Sequence, residues 1–182
     1  MNEIRCVVTG HDERGNSVVR SDEIIPATEP SVLPGYKFFQ LWGSDTAPEF
    51  PDEGTRPAFP TFMPAEGGLR FAVFTVPPAG ERTAQEARLS PHELASAVDR
   101  DLPGFMTYHE PNGTGFHKTP TIDFEVVLEG RVVLELDDGT RVDLGPGDAV
   151  VQNGTRHRWL NVSDGPATVA VILHGVRHSD IT

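Results

Sequence analysis

One cysteine, Cys6, stands in 182 residues, so no internal disulfide can form and the thiol content gives no sign of an oxidising compartment. Cationic runs are scarce too. Against 27 Asp and Glu there are 15 Lys and Arg, a formal net charge of -12, and no basic cluster stands out. Nucleic acid and anionic membranes are therefore poor partners, and the acidity reads as solubility rather than attraction of a cationic substrate. No stretch approaches the ~18 apolar residues of a membrane span. Met1 to Thr9 has neither a basic start nor a sustained apolar core, so a cytoplasmic protein is expected. A Gly-rich phosphate loop, Cys/His zinc spacing and a nucleophile elbow are also missing, which argues against a nucleotide cofactor and acyl-enzyme chemistry.

What the chain has in quantity is turn chemistry, with 18 Gly and 16 Pro. Short strands and long loops follow, hence an all-β expectation. Strands are expected at Ile4–Thr9, Ser17–Arg20, Tyr36–Trp42 and Leu69–Pro77. Further strands are expected at Phe124–Leu128, Arg131–Leu136, Arg141–Leu144, Asp148–Gln152, Arg156–Val162 and Thr168–Leu173. Asp138-Gly139 and Asn153-Gly154 are strong turns, and the apolar run Thr168–Leu173 suits a strand buried on both faces. Between Trp42 and Gly68 the chain is rich in Pro, Gly and acidic residues and reads as a long surface loop.

One helix is expected. Ser90 can cap it, Pro91 suits its first turn and Glu93 its dipole; Leu94, Ala97, Val98 and Leu102 give an apolar stripe, and Pro103-Gly104 ends it. The length suits one domain, 1–182, in which 1–80 supply N-terminal strands and the long loop, 81–110 a helical insertion and 111–178 the motif-bearing core.

That core resembles the cupin superfamily of jelly-roll β-barrels. The family's first motif is Gly-x5-His-x-His-x3,4-Glu-x6-Gly; here His117 takes the first His, Thr119 the second, Asp123 the Glu and Gly130 the closing Gly. The second motif, Gly-x5-Pro-x-Gly-x2-His-x3-Asn, is met by Gly154, His157 and Asn161. Gln152 replaces its Pro, and Gly147 lies one residue closer than usual. Thr119–Gly130 and Gly147–Asn161 are similar to a subgroup that includes cupin-domain-containing oxidoreductases of fungal polyketide pathways. In many cupins the Pro-Gly turn lies close to the first His. Here Pro77-Pro78-Ala79-Gly80 is separated from His117 by an insertion of about 35 residues, expected either to cover the barrel mouth or to form a surface or dimer-contact element.

Period-2 alternation puts His117, Thr119, Thr121, Asp123 and Glu125 on one face, with Phe124, Val126 and Leu128 on the other. Burying such a face is costly unless its polar groups bind a metal, a ligand or one another. His117, Asp123 and His157 would make a three-ligand site with open positions, suited to Fe(II), Mn(II), Ni(II) or Zn(II). Thr119 is a poor substitute for imidazole, so three functions stay open. These are metal-assisted oxidation, oxygenation or isomerisation of a metabolite; metal-free acid-base isomerisation, dehydration or cyclisation using Asp123, Glu125, His117 and His157; and metabolite binding without turnover. Thr119, Thr121 and Trp159 are expected to line the substrate pocket. His109 and Glu110 read as loop residues, and His11, His92, His174 and His178 as surface residues. The resemblance implies a homodimer.

Overall fold

The structure, a computed structural model, describes residues 1–58, 60–78 and 89–179. Ten strands and one α-helix appear in it, in the order the turn chemistry anticipates: β1 (Glu3–His11), β2 (Ser17–Pro26), β3 (Lys37–Ser44), β4 (Leu69–Val76), α1 (Pro91–Asp101), β5 (Thr121–Glu129), β6 (Val132–Leu136), β7 (Arg141–Leu144), β8 (Ala149–Gln152), β9 (His157–Leu160) and β10 (Ala167–Gly175). A 3-10 turn, Phe105–Tyr108, follows α1. β1 and β2 form an antiparallel hairpin. A five-stranded sheet runs β3-β4-β10-β5-β8, and a three-stranded sheet runs β7-β6-β9.

The two larger sheets share a core of Val76, Val127, Val132, Leu134, Leu144 and Val169, which makes the all-β jelly-roll barrel. A second cluster fills one end of the five-stranded sheet, where Ala97, Val98 and Leu102 of the α1 segment meet Phe38, Phe62, Val171 and Leu173. The cap expected for α1 is present in full. Ser90 accepts from the Glu93 amide at 3.3 Å, and the Ser90 amide donates to the Glu93 carboxylate at 2.8 Å. The N-terminal hairpin covers the outer face of β3 and β4 through Ile25, Phe39, Leu41 and Val73.

Two expectations need correction. The run in β10 is buried on both faces only in its first half: Val169, Val171 and Leu173 point inward and, on the other face, Thr168 is buried and Ala170 packs against the hairpin cluster, whereas Ile172 and His174 farther along are exposed. The long loop after β3 is not confined to the surface, since Phe62 and Met63 turn into the core beside α1, where their apolar area is removed from water. Ala79, Gly80 and residues 81–88 of the expected insertion lie outside the described residues.

Candidate functional site

The site sits where β5 of the large sheet approaches β9 of the small one. β5 alternates as the sequence requires. Thr121, Asp123, Glu125 and Val127 are buried, and Phe124, Val126 and Leu128 are exposed. Just before β5 the chain pairs with β9: the His117 amide donates to the His157 carbonyl at 2.9 Å and the His157 amide returns a bond at 3.0 Å. His117 in turn bridges to His109. Phe116 fixes this segment from outside, with the Arg156 guanidinium 3.8 Å and that of Arg158 4.7 Å from its ring. Arg156 also donates to both oxygens of Glu110, at 2.5 and 2.8 Å, and holds that carboxyl well below its ordinary range.

Three imidazoles are thereby brought into one row. Ring centroids are 4.5 Å apart for His109 and His117, which are stacked, and 4.2 Å for His117 and His157, tilted by 54°. Each ring has its Nδ1 against a backbone carbonyl: Phe105 for His109 at 3.1 Å, Gly115 for His117 at 3.0 Å and Thr155 for His157 at 2.9 Å. A carbonyl only accepts, so Nδ1 carries the proton and Nε2 keeps its lone pair. Burial holds the rings neutral. It lowers His117, and together with the neighbouring imidazole His117 it takes His109 and His157 down to about 3.

Asp123 and Glu125 face the same space. Among the described residues, Asp123 Oδ1 and Glu125 Oε2 are buried with no hydrogen-bond partner. Burial, opposed by the Thr121 hydroxyl, raises Asp123 to about 6. Burial and the charge of Asp123 raise Glu125 to about 8. Together they line a cavity of about 280 Å³ with the three imidazoles, Trp159 and a wall that includes Phe38, Phe62, Phe105 and Met106. Burial thus favours the uncharged form of both carboxyls, more strongly at Glu125, and of all three imidazoles.

The donors suit a divalent metal chemically, since neutral imidazoles with pinned Nδ1 and an unpartnered carboxyl oxygen are ordinary ligands. Their placement does not suit one. Among the described residues no three His, Cys, Asp or Glu side chains are grouped closely enough to share an ion. The imidazoles lie ring against ring, and Thr119, in the place of the second motif histidine, has its hydroxyl 2.8 Å from that of Thr121. As arranged, the residues do not fit the three-ligand set His117, Asp123 and His157.

Trp159 does line the cavity, edge-on to His157 at 6.2 Å, while Thr119 and Thr121 are buried behind its lining. His109 and Glu110, read from the sequence as loop residues, both line the cavity, and the pairing across to His117 is what places His109 there. His92 and His174 are exposed, and His11 and His178 bond loop carbonyls away from the cavity.

The motif's remaining residues are structural. Gly130 has φ 74°, and a Cβ there would lie 2.5 Å from the Pro166 carbonyl oxygen. Asn161 donates to the carbonyls of Val76 and Gly165 at 2.9 and 2.8 Å and accepts from Ser163, tying the loop before β10 to the end of β4.

The paired motif histidines stand on the floor of a largely apolar cavity inside this barrel. Residues 104–173, a little over a third of the chain, match the family model described as "Cupin domain". Among curated proteins the chain is similar to "Oryzines biosynthesis cluster protein J" of Aspergillus oryzae, 41% identical over 32% of this chain and 33% of that protein. It is 28% identical to "Cupin-domain-containing oxidoreductase srdB" of Neurospora crassa over 64% of this chain and 72% of that one. The match with "Phomopsin biosynthesis cluster protein C'" of Diaporthe leptostromiformis is 49% identical over 26% of this chain. The chain spans about a third of the oryzine protein and a quarter of the phomopsin protein. Solved structures that resemble it include a Cupin 2 conserved barrel domain protein from Salinispora arenicola, with TM-score 0.39, 17% identity and 78% of each chain covered. Another is a sugar phosphate isomerase of the cupin superfamily from Silicibacter pomeroyi, with TM-score 0.41, 15% identity, 84% of this chain and 66% of that one. Among the described residues no helix is long and apolar enough to cross a membrane.

Proposed function

We propose that the chain is a small-molecule cupin enzyme that isomerises or dehydrates an organic metabolite by acid-base chemistry in the barrel cavity. One observation carries the reading: two buried, unpartnered carboxyl oxygens, two residues apart on one strand face, open into an apolar cavity. Ionised Asp123 takes a proton from a carbon beside a carbonyl. Protonated Glu125 gives its proton to the oxygen that gains charge or leaves as water. Return of the proton from Asp123 to Glu125, with the bare Nε2 atoms of His117 and His157 as carriers, restores the starting state. The names of the relatives, biosynthesis cluster proteins and an oxidoreductase, support metabolite chemistry.

The test is untargeted mass spectrometry of a library of neutral carbonyl compounds incubated with chelator-treated protein in D2O. Deuterated or isomerised product is expected, with Asp123→Asn slower by ~10²-fold or more. Product that disappears on chelation, or that survives in Asp123→Asn, contradicts the reading.

A second reading, metal-assisted oxidation or oxygenation, is favoured by the three imidazoles with free Nε2 and by the oxidoreductase name of one relative. It requires near-stoichiometric metal in protein purified without chelators, lost in His117→Ala and His157→Ala. The proposal places the protein in the cytoplasm as a homodimer, without nucleic-acid or membrane partners. The acidic charge supports the last point, and the uncovered row Phe71, Ile172, Phe124 and Val151 across the large sheet supports pairing.

A further inference from the structure

The described lining of the cavity divides sharply by chemistry. Its wall is aromatic and aliphatic: Tyr36 and Phe38 from the β3 region, Phe62 from the long loop, Leu94 from α1, and Phe105 and Met106 from the turn that follows. Phe38, Phe62 and Phe105 meet edge to face with centroids 4.9 to 5.9 Å apart, leaving a rigid apolar surface. Its floor is the polar set of His109, His117, His157, Asp123 and Glu125. Among the described residues no Lys or Arg lines the cavity. The nearby guanidinium of Arg156 is engaged by Glu110 and Asp137, and that of Arg158 by Glu135. The field of the whole chain, at -12, is also negative.

A phosphate or carboxylate entering this floor would meet the buried oxygens of two acidic side chains and, among the described residues, no compensating cation, in a setting where burial strengthens the repulsion. A neutral hydroxyl meets what it needs there, carboxyl oxygens and imidazole Nε2 atoms to accept its hydrogen bond, and a neutral carbonyl meets no like charge. Size narrows the class further. A cavity of roughly 150 Å³ holds benzene, and this one has about 280 Å³, which suits one or two rings with a small substituent.

We propose that the cavity selects a neutral, ring-bearing molecule of one or two rings, its hydroxyl or carbonyl on the His and carboxyl floor and its rings against the aromatic and aliphatic wall, and that it rejects anionic carboxylates and phosphates. This rests on the acid-base site described above and names its substrate class.

Isothermal titration calorimetry of the full chain at pH 7 with 2-naphthol, 2-naphthoate and 2-naphthyl phosphate tests it, because the three share a skeleton and differ in charge. Binding of 2-naphthol is expected at least tenfold tighter than that of 2-naphthoate, with no detectable 2-naphthyl phosphate binding. Asp123→Asn, nearly isosteric, removes the repelling charge and should narrow the naphthol-to-naphthoate ratio. Equal or tighter binding of either anion overturns the inference, as does failure of all three to bind at millimolar concentration, or a ratio unmoved in Asp123→Asn. The two readings fail separately. A chain that binds 2-naphthol and turns over nothing in the library refutes the acid-base proposal alone. One that dehydrates an anionic compound through Asp123 refutes the substrate class alone.

Discussion

Asp123 and Glu125 set the behaviour of the site through one physical fact, that burial without a partner favours the uncharged carboxyl. The proposed reaction needs Asp123 ionised and Glu125 protonated. The rate should therefore rise as pH passes about 6, fall as it passes about 8, and lose its alkaline limb in Glu125→Gln along with most turnover. The same groups set stability. Glu125 is held near 8 when folded against 4.5 ordinarily, so the folded state binds the extra proton between those values and loses stability as pH rises through them. Asp123 acts likewise between 3.8 and about 6. The three imidazoles, lowered by burial, cost stability only as pH falls below 6.5. From pH 6.5 to 8 Glu125 alone among these five contributes, with a slope of at most about 1.4 kcal/mol per pH unit. Urea unfolding should show Glu125→Gln flattening that decline; parallel wild-type and variant curves would contradict it. The sequence itself showed that these carboxyls share an inward face, because alternation is a local property. That one oxygen of each has no partner among the described residues is a three-dimensional property, and no spacing displays it.

At the scale of elements, α1 and the turn after it supply one side of the cavity wall, and they are anchored by Leu102, fully buried at the helix end among Phe38, Phe62 and Val98. Leu102→Ala should cost about 3 kcal/mol in chemical denaturation and weaken 2-naphthol binding; an unchanged midpoint would mean the segment is not packed as described. The helix was legible because its cap, proline and stripe are all local signals. His109 was not, since it reaches the site through a bridge to His117 that depends on how two segments meet. The run in β10 was read correctly as a strand, but its double burial stops after Ala170, because β-branched composition reports a strand without reporting how far each face is covered.

For the whole molecule, short strands at regular spacing pointed to a sandwich or barrel, and the resemblance of the two motifs to the cupin superfamily implied the jelly roll. The outer face of the large sheet was beyond that kind of reading. There Phe71, Ile172, Phe124 and Val151 fall in one row across four strands and remain 38 to 58% exposed. If the row is where two copies pair, sedimentation should give a dimer that Phe124→Glu with Ile172→Glu converts to a folded monomer; a wild-type monomer contradicts the pairing.

The most direct test of the account is a carboxyl 13C NMR titration of Asp123 and Glu125, assigned through the Asp123→Asn and Glu125→Gln variants, in metal-free protein. Two steps belonging to the pair are expected, near pH 6 and near pH 8, leaving one carboxylate and one carboxylic acid on the floor of the cavity at neutral pH. Both carboxyls titrating below pH 5 would show that the floor is doubly charged at neutral pH, and the acid-base site described here would not exist.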